Sequence, residues 1–205
     1  MSSYKKELKG GVSPYTVALV SAKNTISDHS KPTPTEFSPT TGDEPKYEPE
    51  VWHRHSKIKE THNCYSYALN AIVASRINKP QPGYAVKFPH ISNGKYDCDP
   101  FIKRIKQDIP SLYSTSFKTK CKKGSYKIFM AVTIGDGTDY HFYRQDSNSF
   151  WSHKPGRTDV TNLDSDKKKI INPELANRNY GHYNYGNSCG FFCVNENMAS
   201  LTSTM

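Results

Sequence analysis

A chain of 205 residues with 35% hydrophobic and 23% charged side chains can bury one sizeable core, since single domains run roughly 100 to 200 residues. Aromatic residues reach 12%, with 14 Tyr and 9 Phe, which argues against wholesale disorder despite a mean hydropathy of -0.77. No apolar run approaches the ~18 residues of a membrane span, and Val17 to Val20 is too short for a signal-peptide core, so the sequence predicts neither a spanning nor a classically secreted protein.

The net charge of +9 is uneven. Residues 51–205 hold 22 Lys and Arg against 12 Asp and Glu, whereas residues 1–50 hold six against seven. Such a surface favours acidic partners, but it does not specify a fold.

Residues 1–50 carry six of the 13 prolines, and Ser30 to Glu50 is mostly Pro, Thr, Ser and acid. This stretch is expected to be a flexible arm, with one short strand at Val17 to Val20 and the folded domain over 51–205. From Thr61 the chain reads Thr-His-Asn-Cys-Tyr-Ser-Tyr-Ala-Leu-Asn. Tyr65, Leu69, Ile72, Val73 and Arg76 follow a helical rhythm, with Asn63 as N-cap and Lys79-Pro80 as stop. Cys64 then lies in the first turn, where free amides and the positive end of the helix dipole point.

A second helix is expected over Asp99 to Asp108, with Phe101, Ile102 and Ile105 inward. Ser125 to Ile134, Tyr140 to Gln145, Phe150 to Lys154 and Cys189 to Val194 read as strands. Helices first and a strand meander afterwards predict an α+β fold.

Five cysteines in a chain of this length do not read as a disulfide scaffold, though the odd number leaves one thiol unpaired. A thiol acts as nucleophile when a helix terminus or an imidazole draws its proton away. His141 opens one expected strand and His153 closes the next, twelve residues on. A three-residue loop at Asp146-Ser147-Asn148, with Asn148 left-handed, would pair Gln145 with Ser149 and set His141 directly opposite His153. One imidazole could then act as base and the other orient it, with Gln145, Asp146 or Asn148 as alternative orienting groups.

The Cys64 amide is one natural oxyanion donor, with His62 or Trp52 as candidates for a second. His62, beside the cap, is expected to be solvated. Cys189 and Cys193 invite a metal reading, but their spacing spreads the sulfurs too far along a strand, and no metal is assigned.

The words Asn63-Cys64-Tyr65-Ser66-Tyr67-Ala68-Leu69, Asp139-Tyr140-His141-Phe142-Tyr143-Arg144 and Phe150-Trp151-Ser152-His153 together resemble the papain-like cysteine peptidases, in the permuted NlpC-type branch of endopeptidases, amidases and acyltransferases. The resemblance covers roughly residues 60–154 and departs in the bulky Tyr65 that follows the cysteine. It implies a helix packed on an antiparallel sheet, with Cys64 as nucleophile, His141 as base and His153 as orienting residue. It further implies a peptide, isopeptide or acyl substrate and no cofactor. A weaker resemblance, carried by Trp-Ser-His-Lys-Pro-Gly (151–156) and Cys-Gly-Phe-Phe-Cys-Val (189–194), is to uncharacterised proteins of large DNA viruses and some microbes. It implies a virion or host-cytoplasm location and, as the alternative to catalysis, a binding or structural role among virion proteins.

Overall fold

A computed structural model describes residues 36–72, 79–83, 86–87, 96–135 and 139–195. The expected strand at Val17 to Val20 and the helical positions Val73 and Arg76 lie outside these residues.

Four helices precede the sheet: α1 (Pro49–His53), α2 (Ser56–Thr61), α3 (Cys64–Ala68) and α4 (Cys98–Asp108). Five strands follow: β1 (Tyr113–Thr115), β2 (Ser125–Val132), β3 (Tyr140–Gln145), β4 (Trp151–Ser152) and β5 (Asn187–Asn195). All strand pairs are antiparallel, in the order β1-β5-β2-β3-β4. The α+β expectation holds at this level.

β2 is central and buried on both faces, so its alternating side chains feed two cores. Tyr126, Ile128, Met130 and Val132 join Phe142 and Phe192 beneath Tyr65 and Leu69 and beneath Phe101 and Ile105 of α4. Phe129 and Ala131 join Tyr143, Trp151, Ile170 and Phe191 on the opposite face.

α3 is shorter than its apolar rhythm predicts. It ends at Ala68, and Asn70 adopts a left-handed φ of 51° that breaks the repeat. The predicted cap is correct: Asn63 accepts from the Ser66 amide, and Ser66 Oγ accepts from the Asn63 amide. In α4 the N-cap is Asp97 rather than Asp99.

The chain between Glu36 and Glu48 lies within the expected arm, yet it is built into the domain. Gln145 Nε2 donates to Ser38 O at 2.7 Å, Thr41 Oγ1 to Ser125 O at 2.8 Å, and the Gly124 amide to Asp43 Oδ2 at 2.7 Å. Lys127, buried in β2, donates to the carbonyls of Pro39 and Phe117. Polar composition does not preclude docking where the sheet supplies backbone partners.

The expectation of no disulfide scaffold is also corrected. Cys98 bonds Cys189, tying α4 to β5, and Cys121 bonds Cys193, tying the loop after β1 to β5. The β2–β5 register shifts between Met130 and Ala131, leaving Cys189 unpaired in a bulge where it meets α4. Cys64 is the free cysteine.

Candidate active site

The β3–β4 hairpin pairs Gln145 with Trp151 and Arg144 with Ser152. The loop is five residues, not three, and the left-handed position is Ser149 (φ 69°), not Asn148. A tertiary contact sets this length: the Ser147 amide donates to Pro45 O at 2.9 Å. The register is thus two residues from the expected one, and His153 lies diagonally from His141. A two-residue shift preserves the face, so the rings still meet, with His141 Nε2 and His153 Nδ1 2.7 Å apart.

The alternative orienting groups are engaged elsewhere. Asp146 accepts from Arg144 Nε at 3.0 Å, Gln145 binds Ser38 O, and Asn148 Oδ1 accepts from the Phe150 amide.

Proton positions in the imidazole pair follow from its anchor. His153 Nε2 lies 3.0 Å from Leu163 O, and a carbonyl can only accept. Burial lowers the His153 pKa to about 4, and it lowers that of His141 well below 6.5 with the His153 charge adding to the effect, so both rings are neutral at pH 7. His153 therefore carries its hydrogen on Nε2 and offers Nδ1 as acceptor. His141 must then donate through Nε2, which leaves its Nδ1 as a bare lone pair. Tyrosines fix both rings: Tyr185 stacks on His141 at 4.9 Å, and Tyr143 packs against both imidazoles. Tyr185 is itself held by donating to Asp139 Oδ2 at 2.8 Å.

Cys64 reaches this strand from the other core. β4 pairs with β3 only at Arg144 and Gln145, so β3 lacks that partner at Tyr140 to Phe142, where α3 packs. The sulfur lies 4.0 Å from Tyr140 O, with the Phe142 and Tyr65 amides directed at it. It thus sits against the backbone on either side of His141. Among the described residues its S–H donates to the Tyr140 backbone carbonyl, and no hydrogen bond joins it to His141.

The expected depression of the thiol pKa does not occur. Burial raises it to about 12, with the Asp139 carboxylate adding to the rise. α3 has only five residues, and the imidazoles are neutral, so neither expected lever supplies a standing positive charge.

His62, expected to be solvated, is fully buried, with Nδ1 3.0 Å from both Ile58 O and Thr61 Oγ1. Trp52 packs edge-on against His62 and Tyr67 in a third small core. Tyr65 is a core pillar whose hydroxyl donates to Asp108 Oδ2 at 2.9 Å. Cys189 and Cys193 bond different partners rather than sharing a metal.

The sequence reading missed Lys154. It is buried beside His153, with Nζ donating to Lys59 O, His62 O and Gly156 O at 2.7, 2.8 and 2.7 Å. Its signal was a lysine closing the expected strand Phe150 to Lys154, directly before Pro155-Gly156. Tyr180, whose hydroxyl lies 3.5 Å from His153 Nε2, and Tyr185 were missed because their stretch has no periodicity.

Comparison with known proteins adds one relative. Over 133 residues the chain is 30% identical to insoluble matrix shell protein 1 of Ruditapes philippinarum, an alignment covering 65% of this chain and 81% of the relative. The chain belongs to the insoluble matrix shell protein 1 family. No protein-family model and no solved structure matches it.

Proposed function

We propose that this family member is a thiol-dependent hydrolase or acyltransferase of papain-like design, acting on an amide or ester carbonyl. The observation that carries the reading is the Leu163–His153–His141 chain, which fixes one tautomer and leaves a bare Nδ1 on the strand against which the Cys64 sulfur packs. Neutrality of both the thiol and the imidazole suits general-base attack, in which the thiol proton would move to His141 Nδ1 as sulfur adds to the carbonyl. The imidazolium so formed protonates the leaving group, and water or an acceptor nucleophile then releases the acyl group.

The two disulfides favour an oxidising compartment over a host cytoplasm. The test is incubation of the full chain with a p-nitrophenyl ester, followed by peptide mapping. An acyl adduct on Cys64 that is absent from His141→Ala supports the reading; no adduct, or one indifferent to His141, rejects it.

A second reading, a non-catalytic matrix component, is favoured by the relative's name and by the 5% exposure of Cys64. On that reading the imidazole pair is a buried polar rivet.

A further inference from the structure

Residues 178–185 form a small hairpin of their own. Asn179 bridges Asn184, the Tyr185 amide donates to Arg178 O at 3.1 Å, and the Tyr180 amide donates to Tyr183 O at 2.9 Å. Gly181 and His182 make the turn, with Gly181 at a φ of 82° that glycine adopts without strain. This register sets Arg178 opposite Tyr185 and Tyr180 opposite Tyr183, so the four side chains share one face.

The inner half of that face is anchored and the outer half is open. Arg178 is buried, and its guanidinium donates to Pro173 O, Tyr185 O and Ser188 Oγ while lying over the Phe129 ring. Tyr185 is buried against His141. Tyr180 and Tyr183, by contrast, are 37% and 47% exposed. Their rings are nonetheless held in place: Tyr183 is offset-stacked on Tyr185 with 15° between the planes, and Tyr180 packs on Tyr185 and His153. Rigid tyrosines set among glycine and asparagine, as in Asn-Tyr-Gly-His-Tyr-Asn-Tyr-Gly-Asn (179–187), offer contact area at low entropic cost, which is the composition of preformed binding loops.

Size and charge narrow the ligand. Two tyrosines at these exposures offer on the order of 150 Å², far below the roughly 800 Å² per partner of a specific protein interface. The charged member of the face is the buried Arg178, so the open part presents neutral ring faces edged by hydroxyls. A pyranose ring complements that surface. Its axial C–H groups carry partial positive charge that suits the negative face of an aromatic ring, and its equatorial hydroxyls can bond the phenol oxygens or water at the rim.

We propose that the tip of the 178–185 hairpin is a binding site for neutral, β-linked pyranose chains, with Tyr180 and Tyr183 as its stacking residues. The site is separate from the thiol chemistry, because the ligand stacks on the exposed rings and no bond is made or broken.

The test is NMR titration of the full chain with the tetramers of β-1,4-linked glucose and β-1,4-linked N-acetylglucosamine. Saturable shifts centred on Tyr180 and Tyr183 are expected with at least one tetramer, at a Kd of about 1 mM or tighter. Tyr183→Ala and Tyr180→Ala should each weaken binding about tenfold, whereas Tyr183→Phe, which keeps the ring, retains most of the affinity. Phe37→Ala, at an exposed ring that packs on Phe150 instead, leaves binding unchanged. The wild-type shift map needs no substitution: an absence of saturable shifts with both tetramers overturns the proposal, as does binding that survives loss of both tyrosines. Self-association of the free chain that Tyr183→Ala abolishes also overturns it, since the tip would then be an interface between copies. Cys64→Ala should bind as wild type does, so failure here and failure of the thiol-enzyme reading are separate results.

Discussion

The buried imidazole pair should make the fold sensitive to mild acid, and His153 allows the size of the effect to be worked out. Its folded pKa is depressed to about 4 from 6.5, so between those values the unfolded chain binds a proton that the native state refuses. Stability therefore rises with pH across this window, being intact above 6.5 and lost progressively as pH falls towards 4. At 1.36 kcal/mol per unit, the full shift corresponds to about 3 kcal/mol, a large fraction of a typical domain's 5 to 15 kcal/mol. His141 acts in the same direction. Asp146, whose pKa is raised chiefly by burial, acts in the opposite one, so the wild-type slope alone is ambiguous and the variant comparison is needed. Urea unfolding at pH 7 and 4.5 should show wild type losing about 2 to 3 kcal/mol, while His153→Gln, less stable at pH 7, loses markedly less on acidification. Parallel losses in the two proteins would refute the assignment of a neutral, buried His153.

Two further perturbations probe the frame around the site. Replacing Cys121 and Cys193 by Ala opens a closed loop of 72 residues, and loop-closure entropy predicts a loss of about 4 kcal/mol; a chemical denaturation midpoint unchanged from the oxidised wild type would contradict it. Arg144→Met leaves the Asp146 carboxylate buried without its ion pair, and about 3 to 5 kcal/mol should be lost at neutral pH, read as a fall in Tm that partly recovers in Arg144→Met with Asp146→Asn.

How much of this was legible in the sequence depends on the range of the interactions involved. The Asn63 cap, the inward face of α4 and the position of β3 are local and were readable from spacing. The shared face of His141 and His153 was readable too, because an even separation preserves parity for loops of three or five residues. The register was not, since it depends on the Ser147 amide finding Pro45 O, a contact between segments about a hundred residues apart. The disulfides escaped for the same reason. Cys98 and Cys121 meet Cys189 and Cys193 only once β5 has inserted beside β2, and the bulge at Cys189 has no sequence signature of its own. The thiol's environment was misjudged because a helix N-terminus was credited with lowering its pKa, whereas burial acts more strongly here.

The most direct measurement is the rate of Cys64 alkylation in the native, oxidised chain against the same thiol in the urea-unfolded chain at pH 7. Assistance by His141 predicts that the native thiol reacts faster than the unfolded one, and that His141→Ala slows it by ~10² or more. A native thiol slower than the unfolded one and indifferent to His141 would contradict the account and leave Cys64 as core packing in a matrix protein.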